Sequence, residues 1–573
     1  MMRTIRRRSC DGHESLPNAL HPLLRRIYAA RGIRDPQELQ LGLDGLIPIR
    51  QLGGIDKAVE LLCDHFARRT HIVVVGDFDV DGATSTALVI RQLQRLGFSS
   101  VAFLVPNRFQ YGYGLTAPIV DLAAQQKPGL IITVDNGVSS HAGVDRAREL
   151  GIDTLVTDHH LAAATLPNAT VIVNPNVPGE SFPSKALAGV GVAFYVMAAL
   201  TREMQVRGLC AAPPPVADLL DLVALGTVAD LVALDRNNRI LVSQGLKRIR
   251  AGKCSAGIHA LIGSANNTYH EVVASDLAFQ VGPRLNAAGR LDDMSIGIQC
   301  LLTDNDDIAR MLAARLAQLN NDRRELELQM QQDALATIAE MRAEDPHLPL
   351  GLCLFDESWH QGVVGLVASR VKERVHRPVI ALAPGDPGTL KGSGRSISGV
   401  HIRDVLDAVA KRHDGLIEKF GGHAMAAGLT IPASALNAFR IAFDEEVRRW
   451  MSIEDTLAVV HSDGELSVAE LTLEVARALR DSGPWGQGFP EPLFDGHFDV
   501  ASVRVLGERH LKLDVCTQNS PRWEAIAFRY FDHDDAVPVQ PRCKVELAYR
   551  LDVNRYNGSE RLQLVVEHLR VLG

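Results

Sequence analysis

Short β-branched runs alternate with helix-forming stretches through the first third of the chain. HIVVV (71–75), SVAFLVP (100–106), GLIITV (129–134), IDTLVT (152–157) and TVIVNPN (170–176) each have the length of one strand. GATSTALVIRQLQRLG (82–97) and HAGVDRARELG (141–151) lie between them and read as helices. Apolar strands that alternate with helices bury both of their faces. The pattern therefore predicts an α/β fold built on a parallel sheet with helices on each side.

What ends these strands is unusual. HIVVV runs through Gly76 into Asp77, Asp79 and Asp81. IITV ends in Asp135-Asn136-Gly137, and TLVT ends in Asp158-His159-His160. Alternate side chains of an extended segment share a face, so the first three acids can converge just past a strand end. The carboxyl edge of an open α/β sheet is also where such folds bind ligands. Clustered carboxylates raise one another's pKa unless a cation sits among them. One acidic triplet alone reads equally well as a solvated turn; several strands delivering acids and imidazoles to one edge favour a metal centre. Carboxylate with imidazole suits Mn²⁺, or Mg²⁺ less selectively. Acids shared between two cations form the two-metal arrangement of phosphate-ester hydrolysis.

The rest of the 573-residue chain predicts further domains. Residues 1–50 read as irregular to helical, and 185–250 as helical with a break at AAPPPVAD. Residues 305–343 lack Pro and Gly and predict a long helix, or two in succession, connecting domains. A second βα region begins near Leu350 with the strand GLCLFD, the helix GVVGLVASRVKERV and the strand PVIALAP. After about residue 455, alternating apolar and polar residues with turn signals such as Asn557-Gly558 predict a small OB-like β-barrel. The net charge of −8 argues against a protein that coats duplex DNA, but leaves room for a local basic groove. The eight cysteines form no C-x-x-C pair, which fits a reducing cytoplasm and argues against a zinc knuckle. No apolar run is long enough for a membrane helix, and no secretory signal opens the chain.

GDFDVDG, VDNG, TDHH and GTVAD, in this order, resemble the signature motifs of the DHH phosphoesterase superfamily. VPNRFQYGYGL, NPN, LAGVGVAFYV, GPRLNAAGRLDD, WHQGVVGLVASRVKE and FGGHAMAAG extend the resemblance across nearly the whole chain. Together they are similar to the bacterial branch of single-strand-specific 5′→3′ DNA exonucleases that act in recombination and repair. The resemblance implies a DHH catalytic domain (51–265) after an N-terminal segment (1–50), and a linking region with a long helix (266–345). A DHHA1-like substrate-binding domain (346–452) and an OB-fold-like nucleic-acid-binding domain (453–573) would follow.

Residue by residue, it implies that Asp79 and Asp81 ligate different ions, Asp135 bridges them and His159 ligates one. Asp158 and His160 are ligands or close support, with His160 near the scissile phosphate. Superfamily members often carry a His where Val75 stands, and Asp77 is its replacement as a ligand. For the fourth-motif acid, the spacing from Gly226 favours Asp230 over Asp221, which then acts as a cap or ion-pair partner.

Phosphodiester chains also need cationic and amide donors. Candidates are Arg108 beside Phe109, Tyr111 and Tyr113; Arg284 and Arg290 in a loop before the long helix; and Ser393 and Arg395 in the glycine-interleaved basic loop KGSGRS. His423 in GGHAMAAG is another, whereas His360 reads better as a helix cap than as a substrate contact. Each has a plain alternative as a surface or salt-bridging side chain.

The implied cofactors are two divalent cations, Mn²⁺ preferred or Mg²⁺. The implied substrate is single-stranded DNA, with a RecQ-type helicase and a single-stranded-DNA-binding protein as candidate partners of a cytoplasmic monomer. Two alternatives stand beside this reading. One is a phosphodiesterase of short oligonucleotides or cyclic dinucleotides. The other is a catalytically dead replication scaffold, which retention of the strand-end acids and His159 disfavours.

Overall fold

A computed structural model describes the chain except residues 1–3, 107–113, 345–347, 453–454, 456–457, 519, 533–537, 556–557 and 573. Arg108, Phe109, Tyr111, Tyr113 and the Asn557 turn position lie outside the described residues. The chain divides into two compact units. One comprises residues 11–321 with 480–491; the other comprises 1–10, 322–479 and 492–573.

In the first unit, strands β1 (Ile72–Gly76), β2 (Val101–Leu104), β3 (Leu130–Val134), β4 (Asp153–Thr157) and β5 (Val171–Val173) form one sheet in the order β2-β1-β3-β4-β5. Every neighbouring pair is parallel. Alternation explains its burial. Ile72 and Val74 of β1 join one core cluster, while Val73 and Val75 join another with Ile119, Val120 and Val144 on the opposite face. Each such aliphatic side chain contributes about 1.5–3 kcal/mol by leaving water. Because both faces are covered, the carboxyl edge is what remains for polar chemistry.

Helix α1 (Val80–Arg95) follows β1 directly, capped by Asp79, whose side chain accepts from Gly82 N at 3.0 Å. Helices α2 (Gly189–Val206), α3 (Leu220–Ala229) and α4 (Gly282–Leu291) complete the surroundings of that edge. Arg284 and Arg290 therefore lie on a helix, not in a loop. Pro283 in its first turn and the alanines of LNAAG favour that helix despite its glycines. Helix α5 (Asp306–Glu344) is continuous over 39 residues, one helix and not two in succession.

In the second unit, strands β6 (Leu352–Phe355), β7 (Val379–Pro384), β8 (Thr389–Arg395), β9 (Lys419–Gly422) and β10 (Ala426–Pro432) form a mixed sheet in the order β9-β10-β8-β7-β6. Helix α6 (Val364–Val375) connects β6 to β7, which pair in parallel. The expected basic loop KGSGRS is for the most part strand β8, paired on both sides. A Cβ on Gly392 would lie 2.5 Å from Leu382 Cδ2 and 2.8 Å from Leu429 Cδ2, so this glycine serves close sheet packing. His360 lies in the turn before α6 and accepts from Gly362 N at 3.1 Å.

The last five strands, Phe494–Leu506, His510–Cys516, Trp523–Ala527, Lys544–Asn554 and Arg561–Leu572, close into a barrel. Residues 1–50 were expected to lack strands, but Thr4–Arg7 pairs in parallel with Val459–Ser462.

Candidate active site

Each acid reaches the sheet edge by a different local device. Asp77 and Asp79 stand between β1 and α1, and Asp81 lies in the first turn of α1. Asp81 is fully buried, and its two oxygens accept from Gly189 N (2.6 Å) and Val190 N (2.8 Å) at the start of α2. Unsatisfied N–H groups at a helix start are natural anion partners, so α2 fixes this carboxylate. Asp135 follows β3 with φ of 62°, a conformation that turns the chain sharply. Asn136 holds that turn through Nδ2 bonds to Val75 O (3.1 Å) and Val134 O (2.9 Å). Asp230 is the C-terminal cap residue of α3.

His159 is the hub. Its Nε2 lies 3.1 Å from Asp135 Oδ1, 3.5 Å from Asp230 Oδ2 and 3.9 Å from Asp81 Oδ2. Three groups of potential ligand atoms, each within 4.8 Å of one another, overlap here: Asp77-Asp79-Asp135, Asp81-His159-Asp230 and Asp135-His159-His160. Asp135 and His159 each belong to two of the three, and Asp135 is the carboxylate that does, the position a bridging carboxylate needs.

Asp158 stands apart from these groups. Its Oδ1 accepts from His159 N (2.7 Å) and His160 N (3.1 Å) and pairs with His160 Nδ1 (2.7 Å), while Oδ2 accepts from Val138 N (2.9 Å). Asp221 is also apart, buried and bonded to Ser255 N at 2.8 Å.

Electrostatics follow from burial and crowding. Burial and then the neighbouring Asp79 carboxylate push Asp81 up to about 7. Burial followed by repulsion from Asp81 and Asp79 raises Asp135 and Asp230 well above the usual carboxylate range. Burial alone would raise Asp158, but His160 and the backbone N–H bonds bring it below that range. Burial works against charge on His160 too, yet Asp158 outweighs it and lifts His160 to about 9. Protons or cations must relieve this concentration of buried negative charge. Carboxylate-bearing ligand sets with none, one or two imidazoles fit Mn²⁺ or Mg²⁺, and among the described residues the ligand groups contain no thiolate.

Asparagines missed as functional candidates in the sequence hold the DHH turn. Asn174 Nδ2 donates to His160 O at 3.0 Å, and Asn176 Nδ2 donates to His159 O. Asn286 of α4 accepts from Val80 N at 3.1 Å, tying LNAAG to the start of α1. Their signal was visible as Asn beside Pro or Ala in the quoted motifs, but their targets are backbone groups that only the fold brings close.

The candidate substrate residues separate into two sets. In the first unit, Arg284 donates to Gln280 O and, at 3.1 Å, to Ser264 O, and Arg290 is in the last turn of α4. In the second, Arg395 Nη1 bonds Ser393 Oγ at 2.8 Å on β8. A Cβ on Gly365, in the first turn of α6, would lie 2.9 Å from Arg395 Nη2 and 3.0 Å from Ser393 Oγ. The three thus gather at a helix N-terminus, a natural anion site. His423 is exposed in the turn between β9 and β10.

Residues 71–227 match the DHH family, N-terminal domain; residues 349–449 match the DHHA1 domain; residues 462–568 match the RecJ OB domain. The chain is 52% identical to the single-stranded-DNA-specific exonuclease RecJ of Escherichia coli (strain K12) over 571 residues, covering 99% of this chain and 98% of the relative. It is 32% identical to the protein of the same name from Thermus thermophilus, covering 95% and 74%. Among solved structures, RecJ in complex with Mn²⁺ from Thermus thermophilus superposes with a TM-score of 0.81 at 29% identity, over 99% of this chain and 79% of that one. The corresponding complex with Mg²⁺ gives 0.75 at 28% identity, over 99% and 78%.

Proposed function

The chain belongs to the RecJ family of single-stranded-DNA-specific exonucleases, within the DHH superfamily, and on that premise we propose how its residues divide the work of 5′→3′ hydrolysis. The enzyme is a metal-dependent hydrolase that takes Mn²⁺ or Mg²⁺. Asp77, Asp79 and Asp135 would hold one cation; Asp81, His159 and Asp230 would hold the other, and Asp135, 3.1 Å from His159 Nε2, would serve both. When bound, the cations supply Lewis acidity, acidifying water and offsetting charge on the phosphate.

The chain's own residues do the rest. The α2 N–H groups keep Asp81 in one orientation, so this ligand need not reorganise during turnover. Asp158 is a positioning residue rather than a ligand, because both its oxygens are engaged with Val138, His159 and His160. It orients His160 through the 2.7 Å contact with Nδ1 and favours its charged form, and His160 donates to the scissile phosphate and stabilises its developing charge. Asp221 is a structural cap.

Arg284 and Arg290 bind the strand on the catalytic side, and Arg108 is a further strand contact on the ground of its sequence motif alone. Ser393 and Arg395, with the amide groups of the α6 start, and His423 bind the 5′-terminal region. The OB domain holds following nucleotides by stacking and charge. An enzyme of this kind consumes strands that another activity exposes. A RecQ-type helicase and a single-stranded-DNA-binding protein are therefore its proposed partners, with a monomer working in the cytoplasm. No helix among the described residues is long and apolar enough to cross a membrane.

The place of Asp135, grouped with Asp77 and Asp79 and 3.1 Å from the His159 Nε2 that neighbours Asp81 and Asp230, carries the catalytic reading. Parallel time courses on 5′-labelled and 3′-labelled single strands and the matching blunt duplex, with Mn²⁺ or EDTA, test it. Immediate release of the 5′ label as mononucleotide from the single strand alone, abolished by EDTA, is expected. Hydrolysis confined to di- and trinucleotides would move the protein to the short-substrate class, and no metal-dependent cleavage at all would leave only a scaffold.

A further inference from the structure

Asp230 lies at a bend. It ends α3, the next residue Leu231 has φ of 59°, and the chain then runs through Leu234 to the helix Arg236–Arg250. A ligand at such a bend keeps its place only if the loop behind it is fixed. That loop is fixed from the far end of the sequence. Leu234 N donates to Gln487 O at 2.7 Å, and Leu234 O accepts from Arg239 Nη1 at 3.1 Å. The Arg239 guanidinium lies 4.4 Å from the centre of the Phe489 ring, and Phe489 stacks on Trp485 at 5.2 Å. Arg31 covers Trp485 at 5.2 Å and donates to Pro490 O at 2.7 Å, and Tyr28 Oη donates to Ser482 O at 2.8 Å. Phe489 is buried with Tyr28 and Leu234 in the catalytic unit's main core.

The same loop continues toward the other ligands. Asp235 accepts from Ser184 Oγ at 2.6 Å, and Asn238 Nδ2 donates to Ala186 O at 2.7 Å, just before the α2 start that binds Asp81.

We propose that the segment Arg480–Glu491, anchored by Trp485 and Phe489, is a clamp of the catalytic unit that positions Asp230 for cation binding. The segment lies inside the stretch matched to the OB domain, yet it packs with residues 11–321. Its contacts run to the loop that follows Asp230, so the role proposed for it is metal affinity. Phe489, Trp485 and Arg239 are positioning residues, since none belongs to the ligand groups. The proposal rests on the assignment of Asp230 as a ligand.

The test titrates metal-stripped full-length protein with Mn²⁺, reading free Mn²⁺ by electron paramagnetic resonance without DNA. Phe489→Ala removes the anchor. Gly488→Ala is a milder second variant: its Cβ would lie 3.1 Å from Ala233 Cβ at a φ of 70°. Either folded variant is expected to bind Mn²⁺ about tenfold more weakly, the scale of a lost ligand-orienting contact. Single-strand affinity in EDTA should be unchanged, and saturating Mn²⁺ should restore most of kcat. An unchanged Mn²⁺ midpoint in both variants overturns the clamp, as does weakened strand binding with a normal midpoint. If the unaltered protein binds no Mn²⁺, the metal-centre reading itself fails, a result distinct from failure of the clamp.

Discussion

At the residue scale, the site is a problem of like charges. Asp81, Asp135 and Asp230 surround His159, Asp77 and Asp79 join Asp135 in a neighbouring group, and Asp81, Asp135 and Asp230 are raised above the ordinary carboxylate range by burial and mutual repulsion. A carboxyl whose folded pKa exceeds its unfolded value binds more protons when folded. Its stabilising contribution is complete below the unfolded pKa and is lost as pH rises through the folded one. Without metal, these acids should therefore destabilise the fold progressively toward pH about 7, the value for Asp81, and beyond. Cations bind the deprotonated form and reverse the loss. The gap in Tm between Mn²⁺-loaded and EDTA-treated protein is expected to widen from about pH 5 to about pH 8. Scanning calorimetry across that range checks this, and a constant or narrowing gap would contradict it. The strand-end acids were legible in the sequence because period-2 geometry and the carboxyl-edge rule both point to them. Their supports were not, because Asn174, Asn176 and the α2 N–H groups act on atoms distant in sequence.

At the element scale, the parallel sheet and its helices follow from apolar runs of strand length. The two departures share one cause. Glycines in LNAAG and KGSGRS read as loop signals, but they serve close packing inside a helix and a strand. In α4, a Cβ on Gly289 would lie 2.0 Å from Phe78 O, between the first two acids of GDFDVDG. Gly289→Ala must push α4 away from that backbone, at a cost of about 1–3 kcal/mol. The same shift disturbs the bond from Val80 N to Asn286. The variant is expected to lose both urea stability and kcat, whereas Gly263→Ala, with open space around its Cβ position, should lose little of either. Equal behaviour of the two variants would show that α4 does not brace the first motif.

At the scale of the whole molecule, sequence pattern revealed the modules but not how distant segments join them. The strand Thr4–Arg7 pairs with Val459–Ser462, and Arg480–Glu491 packs into the catalytic unit. Local periodicity carries no information about partners hundreds of residues away. The net charge of −8 also becomes intelligible, since acids that hold cations lower the formal total of an enzyme that still grips an anionic strand. The account's central claim is that Asp135 is shared by two cations. Asp135→Ala is expected to lower cleavage of a 5′-labelled single strand in Mn²⁺ about 100-fold or more while leaving strand affinity in EDTA unchanged. A folded Asp135→Ala protein that cleaves at the normal rate would contradict the claim.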